Sequence, residues 1–428
     1  MKIFLKEYWP LILITLAIAG FVSKALYNYP LGIMAIIGFY RVVVSPKSIW
    51  EDKILRTFVI LFLCLWIPLL ISLIDAINPS RSSQTIFSYL RFLFAGLFII
   101  QELSKDGKFF RIFNNCVFFI ILFWCIDASI QFFVGHNLLG YPYRPGEITG
   151  MFFPRNTISH ICAILSPIYF YVVFEYSHKN KLFWLSVIPV FFIVLISGRR
   201  AAWIMLALCT FGFFIYAYLA SFNKSKTLRA SVIISFAIGV ILATTIMFNQ
   251  PTKERFKATL GLFSFDYSLI NTATSIRLPI WGVAYSIFKE HPVNGIGPRG
   301  FRFVYHEYAK LDDDNIETKS DRLNYLFSLN LPPTHPHLLI LEILAETGVI
   351  GLMGFFLFFY FLIKQRKIIK NVSYEFVFFI PVLVSLFPFN AHMAFYGSVW
   401  SSMIWLLMAL YFAAMKLSLS KKADIALK

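Results

Sequence analysis

The residues able to do chemistry in this chain fall into a few tight clusters. Arg199 and Arg200 follow Ser197-Gly198 in a short turn between two apolar runs. Such a pair either snorkels to lipid phosphates or clamps a phosphorylated substrate, since a guanidinium meets phosphate oxygens two at a time. Thr334-His335-Pro336-His337 stands where a long polar stretch gives way to an apolar one. A neutral imidazole there can take a proton from a hydroxyl near pH 7, and the pair lacks the nearby carboxylates that would argue for a metal. Pro336 should hold the pair extended, with the two rings pointing apart. Arg277 lies at the start of a helical pattern, and Arg299 and Arg302 surround Gly295-Ile296-Gly297-Pro298-Arg299-Gly300. Those glycines either open backbone N–H groups to an anion or make a turn. No strand–helix framework or Gly-Lys-Ser/Thr accompanies them, so this is not a nucleotide-binding loop. The run Asp312-Asp313-Asp314 reads as a solvated loop before it reads as a cation site. Arg144 and Arg155 occupy a shorter polar stretch at about 135–157, while Arg91 and Asp127 sit inside apolar runs, where an ion pair between them is expected, with a polar access path as the alternative.

The elements that position these residues follow from composition. Of 428 residues, 58% are hydrophobic and 14% charged, against about 25% charged in soluble domains. The mean hydropathy is +0.71. Lipid must be the solvent for most of the chain. Apolar runs fall at about 10–27, 30–45, 57–75, 86–101, 112–134, 158–175, 183–196, 201–220 and 230–248, and again at about 338–363, 374–389 and 395–416. The expected fold is an all-α polytopic membrane protein of about twelve transmembrane helices. Residues 1–248 hold nine of them, 249–337 form one long outer loop, and 338–428 hold three more and a tail.

The net charge of +17 would point to nucleic acid in a soluble protein, but its distribution points to membrane topology instead. With the N-terminus inside, alternate loops and both tails carry 22 of the 39 Lys and Arg residues, as the positive-inside rule requires. Residues 249–337, on the outer side, hold ten basic and nine acidic residues and are nearly neutral. Within them Ile276, Ile280, Val283, Ala284, Ile287 and Phe288 recur at helical spacing behind Ser275, an expected N-cap, with Pro279 in the first turn. An amphipathic helix on the membrane surface, or capping the bundle, is expected. Lys2, Lys6 and Ala17-Ile18-Ala19 resemble a secretory signal, yet the apolar run continues to Tyr27, which favours an uncleaved first helix. The five cysteines all lie in apolar runs and read as buried structural thiols.

The order of the motifs resembles the O-antigen ligase and polymerase superfamily. Ser197-Gly198-Arg199-Arg200-Ala201-Ala202-Trp203 is similar to its Arg-small-Ala-Trp signature, and His291-Pro292-Val293-Asn294-Gly295-Ile296-Gly297-Pro298 to its Pro-x-x-Gly-x-Gly turn. His335-Pro336-His337 followed by Leu341-Glu342-Ile343-Leu344-Ala345-Glu346-Thr347-Gly348 is similar to its His-Pro-His-Asn motif and the helix ending Glu-x-Gly. The likeness spans about residues 150–355. It departs at Leu338, where the family has Asn, so whatever orienting hydrogen bond that amide supplies is missing while the imidazole remains.

The resemblance implies an inverting, metal-independent glycosyltransferase of the bacterial inner membrane with its site facing the periplasm. It would move a polysaccharide from undecaprenyl pyrophosphate to a sugar hydroxyl of lipid A–core, with no cofactor. His337 would be the general base, with His335 as the second candidate. Arg200 and Arg277 would bind the pyrophosphate, helped by Arg199; Arg299, Arg302, Arg155 and Arg91 are further candidates. A polymerase joining repeat units shares the donor and these motifs, and transfer to protein is a related option. A single long outer loop favours the ligase. Twelve spans would suit a transporter, but its repeated halves around midplane charges are not the pattern here: the halves are unequal and the polar residues gather on one outer face.

Overall fold

The computed structural model describes residues 2–221, 224–225, 239–240, 243–245, 247–311, 332–366, 373–388 and 393–426. In chain order its first helices are α1 (Lys2–Ala19), α2 (Asn28–Val44), α3 (Pro46–Glu51), α4 (Lys53–Ile71), α5 (Pro79–Leu103), α6 (Gly107–Val134), α7 (Ile158–Ser177), α8 (Val187–Ile196) and α9 (Arg200–Ala220). Then come α10 (Gln250–Leu260), α11 (Tyr267–Ala273), α12 (Leu278–Glu290), α13 (Phe301–Leu311), α14 (Leu339–Arg366), α15 (Phe376–Ser385) and α16 (Ser398–Ala426). Among the described residues there is no strand, only the isolated bridges His136–Pro142 and Arg144–Glu147.

Among the described residues seven helices, α4, α5, α6, α7, α9, α14 and α16, are long and apolar enough to cross a membrane. Four shorter apolar helices coincide with the expected spans near 10–27, 30–45, 183–196 and 374–389. The expected span at 230–248 falls largely outside the described residues, as do Asp312, Asp313 and Asp314. The chain is thus an all-helical polytopic membrane protein. Helices α7 and α16 are innermost, each with 83% of its apolar stretch buried. Around Trp405 of α16 the rings of Phe58, Phe62, Tyr89 and Phe358 pack at 5.1–6.4 Å, joining α4, α5 and α14 to the centre.

The turns between helices sort onto two ends of the bundle. At one end lie Arg41–Glu102 at 2.6 Å, Lys105–Glu102 at 2.7 Å and Lys416–Asp52 at 2.6 Å. At the other end the turns α1–α2, α4–α5, α6–α7 and α8–α9 converge with the segment 249–311. Arg155 donates to the carbonyls of Phe21 and Val22, Arg255 to that of Gly198 at 2.9 Å, and Asn294 to Asp75 at 2.8 Å. All the candidate residues on loops belong to this second end.

The amphipathic pattern after Ser275 does form a helix, α12, which buries Ile280, Val283, Ala284 and Ile287. Its N-cap, however, is Arg277 and not Ser275, which lies in the left-handed region at φ 62°. The sequence showed one amphipathic helix here, and the structure adds a second, α13. Ile296, Phe301, Val304, Tyr305 and Tyr308 close a small core with α12 and Ala345 of α14. The pair therefore caps the bundle.

Candidate functional site

The site is built on a break in α14. Gly348 has φ 61° and ψ −159°, a conformation essentially confined to glycine. A helix broken there orphans carbonyls before the break and N–H groups after it, all of which must find partners in a dry interior. Segment 292–297 supplies them. The N–H groups of Val349 and Ile350 donate to the carbonyls of Pro292 (2.8 Å) and Val293 (3.1 Å). The N–H groups of Ile296 and Gly297 donate back to Ala345 (3.1 Å) and Glu346 (3.0 Å). A Cβ on Gly295 would stand 2.4 Å from the Glu346 carbonyl carbon, and one on Gly348 would stand 2.3 Å from the Val293 oxygen. The Pro-x-x-Gly-x-Gly and Glu-x-Gly motifs are thus two halves of one joint. The glycine segment is a docking turn, and its N–H groups at 296 and 297 are already engaged. Ile77 N–H on the Ile296 carbonyl (3.0 Å) ties the α4–α5 turn to it.

Three ionisable residues meet beside the joint. The Arg299 N–H donates to Glu346 Oε2 at 2.7 Å, and Glu342 accepts from the N–H groups of Phe395 (2.8 Å) and Tyr396 (3.1 Å). Both carboxylates are buried, and the Arg299 charge acts on each. Arg299, itself buried, is therefore a counter-charge within the joint. Arg302 is half-buried, and burial, with the charges of Arg299 and Arg81, holds its pKa below the ordinary arginine value. Glutamates four residues apart on one face of an apolar helix were the signal for this cluster.

The second group gathers around the Ser197-Gly198 turn. Arg200, at the start of α9, donates to the Ala273 carbonyl, to the Thr272 carbonyl at 3.4 Å and to Ser275 Oγ at 2.6 Å. It thereby holds the C-terminal end of α11 and the strained Ser275-Ile276 pair (φ 62° and 60°) that leads into Arg277. With the Asn156 amide turned so that its nitrogen donates to the Ile148 carbonyl at 2.8 Å, its oxygen accepts two 3.2 Å bonds from Arg199. Arg255, on α10, closes the group, and the Arg255 charge acts on Arg200. The charges of Arg199 and Arg277 both act on His160, a buried imidazole at the start of α7. Arg199, Arg200 and Arg277 were legible in the sequence. Arg255, His160 and Asn156 were not, because they lie on other elements and carry no local motif.

His335 and His337 do not diverge. His337 adopts φ 55°, and the two rings lie 3.9 Å apart at 47°. His335 is the more buried, and its Nδ1 lies 3.0 Å from Thr334 Oγ1. Pro336 restricts itself and the residue before it, not the one after, so the turn at His337 was open to the fold. The expected Arg91–Asp127 pair is also absent. Arg91 donates to Ser398 Oγ at 2.6 Å and lies 4.8 Å from the Phe92 ring. Asp127 accepts from Asn137 (3.2 Å) and the Leu138 N–H (3.0 Å), which anchors the 135–157 loop to α6. Each charge found another partner, Arg91 the hydroxyl at the start of α16 and Asp127 the loop that follows its own helix. Arg155 joins the α6–α7 loop to the α1–α2 turn, and Arg144 stacks on Phe153 at 5.9 Å in the same loop.

An arginine turn, a glycine joint and a histidine pair therefore occupy successive elements of one segment. Residues 185–356 match the O-antigen ligase family. The chain is also similar to a protein of Rickettsia felis named "Putative polysaccharide ligase", at 24% identity over 308 residues, covering 71% of this chain and 68% of that one. The resemblance carried by the motifs is borne out, and the match includes the α8–α9 turn, the docking turn and the broken helix. These findings support glycan transfer of the O-antigen ligase or polymerase type.

Proposed function

We propose that this protein is an inverting glycosyltransferase that moves a polysaccharide from undecaprenyl pyrophosphate to a sugar hydroxyl of lipid A–core on the periplasmic face of the inner membrane. The observation that carries this reading is the arginine group around the Ser197-Gly198 turn. Among the described residues Arg200 and Arg255 are held by carbonyl and hydroxyl oxygens and not by carboxylates, which leaves their charge for an anion. A pyrophosphate donor needs such a site, because charge on the departing group must be stabilised as it develops. The relative's description as a polysaccharide ligase favours ligase over polymerase.

The packing also supports a shared site for the arginines and histidines. Helix α12 begins after Arg277 and α14 after His337-Leu338. Their cores interlock through Ile280, Ile287, Leu341 and Ala345, and residues 292–297 bind 345–350 beyond the C-terminal end of α12. At 1.5 Å per residue α12 runs roughly 20 Å and the first part of α14 roughly 14 Å back from the joint, which brings their first residues to the same side. In the reaction, His337 takes the proton of the acceptor hydroxyl as its oxygen attacks the anomeric carbon. The bond from that carbon to the pyrophosphate oxygen breaks, and the electron pair leaves on the pyrophosphate among Arg199, Arg200 and Arg277. The lipid donor supplies the energy, so no nucleotide is required.

The histidine pair tests this. A positioned base contributes ~10²–10⁴-fold, so His337→Ala should lose transfer by that factor with purified donor and acceptor, and His335→Ala should lose less. Loss in His335→Ala alone would exchange the two roles; full activity in both variants would end the acid–base mechanism.

A further inference from the structure

A cavity of about 590 Å³ opens at the end of the bundle opposite the arginine turn. Arg111 and Asn114 of α6, Tyr171 and Glu175 of α7, Lys179 beyond it and Tyr374 before α15 line it. From Arg111 to Asp127, at the site end of α6, the axis runs roughly 24 Å, so the two sites are separate. The chemistry of the lining is mixed in a particular way. Arg111 and Lys179 are exposed cations at its rim, which call for an anion. Glu175, also exposed, and Asn114, whose Oδ1 has no hydrogen-bond partner among the described residues while its Nδ2 donates to the Tyr374 hydroxyl at 2.6 Å, call for a donor. The Tyr171 and Tyr374 rings, 5.0 Å apart, add aromatic faces, on which a cation is stabilised.

The geometry points to a binding site for the headgroup of an aminophospholipid. Its phosphodiester is held by Arg111 and Lys179, and its ammonium by Glu175, the Asn114 carbonyl and the tyrosine faces. A purely anionic headgroup leaves Glu175 and Asn114 without a donor, and a purely cationic ligand leaves the two bases unmatched. The cavity lies at the ends of α6 and α7, the level at which lipid headgroups meet a spanning helix. This inference is independent of the transfer reaction proposed above.

The test is a titration of the delipidated full-length protein in detergent with phosphatidylethanolamine or phosphatidylglycerol, read by native mass spectrometry. A charge-assisted hydrogen bond lost to a neutral group changes affinity by about tenfold or more. Wild type should retain the ethanolamine lipid about tenfold more tightly, Glu175→Gln should erase that preference, and Arg111→Ala with Lys179→Ala should weaken both lipids. All three side chains are exposed, so an unchanged unfolding temperature is expected alongside. Equal retention of the two lipids by wild type, or an unaltered preference in Glu175→Gln, overturns the proposal. So does soluble glycerophosphoethanolamine binding as tightly as the lipid, which would put a free metabolite in the cavity.

Discussion

Replacing Gly348 by alanine tests whether the broken helix is the structural centre of the site. At φ 61° and ψ −159° the backbone there is closed to a side chain, and the new methyl would stand 2.3 Å from the Val293 oxygen and 2.6 Å from the Asn294 nitrogen. Either the residue keeps its strained conformation, at about 1–3 kcal/mol, or α14 straightens. A straightened helix releases the bonds from Val349 to Pro292 and from Ile350 to Val293, each contributing about 0.5–1.5 kcal/mol. It also undoes the bonds from Ile296 and Gly297 to Ala345 and Glu346. The expected loss from the four bonds is therefore about 2–6 kcal/mol, together with transfer activity, because α12 and Arg277 lose their anchor. Gly32→Ala is the control. It sits inside α2 with nothing within 4 Å of the place its methyl would take, and alanine is the better helix former by about 1 kcal/mol. Thermal unfolding in detergent and transfer with purified lipids should show Gly348→Ala crippled in both and Gly32→Ala intact in both. Wild-type unfolding and activity in Gly348→Ala would refute the joint as described.

Arg200→Ala should abolish transfer and raise backbone hydrogen exchange across residues 271–277, since its guanidinium spans Thr272, Ala273 and Ser275; Arg200→Lys should restore little, because an ammonium lacks the planar fork. Protected 271–277 amides in an inactive Arg200→Ala would leave pyrophosphate binding as its whole role. For topology, a cysteine at exposed Lys289 should react with a membrane-impermeant thiol reagent in cells with a permeabilised outer membrane, and one at exposed Lys179 only after inner-membrane lysis. The reverse pattern would invert the proposed orientation.

What the sequence determined by itself is what each window of residues decides alone. An apolar run of about twenty residues has no stable place but lipid, so the spanning helices near 57–75, 112–134, 158–175 and 201–220 were legible from hydropathy. The spacing of Ile280, Val283, Ala284 and Ile287 likewise set the buried face of α12. The arginines and histidines were legible as chemistry that lipid does not tolerate without a reason. Tertiary structure decided which of them meet. Gly348 and Gly295 lie 53 residues apart and explain each other only when docked. Nothing in the neighbourhood of His160, Asn156 or Arg255 marks them as companions of Arg199 and Arg200; separate segments, two helices and a loop, bring them together. Arg91 and Asp127, both lying within apolar runs, looked like partners because each needs one, yet Ser398, Asn137 and the Leu138 N–H were closer. Hydropathy is a property of a segment and its solvent, whereas the partner of a buried polar group is whichever distant segment the packing delivers to it.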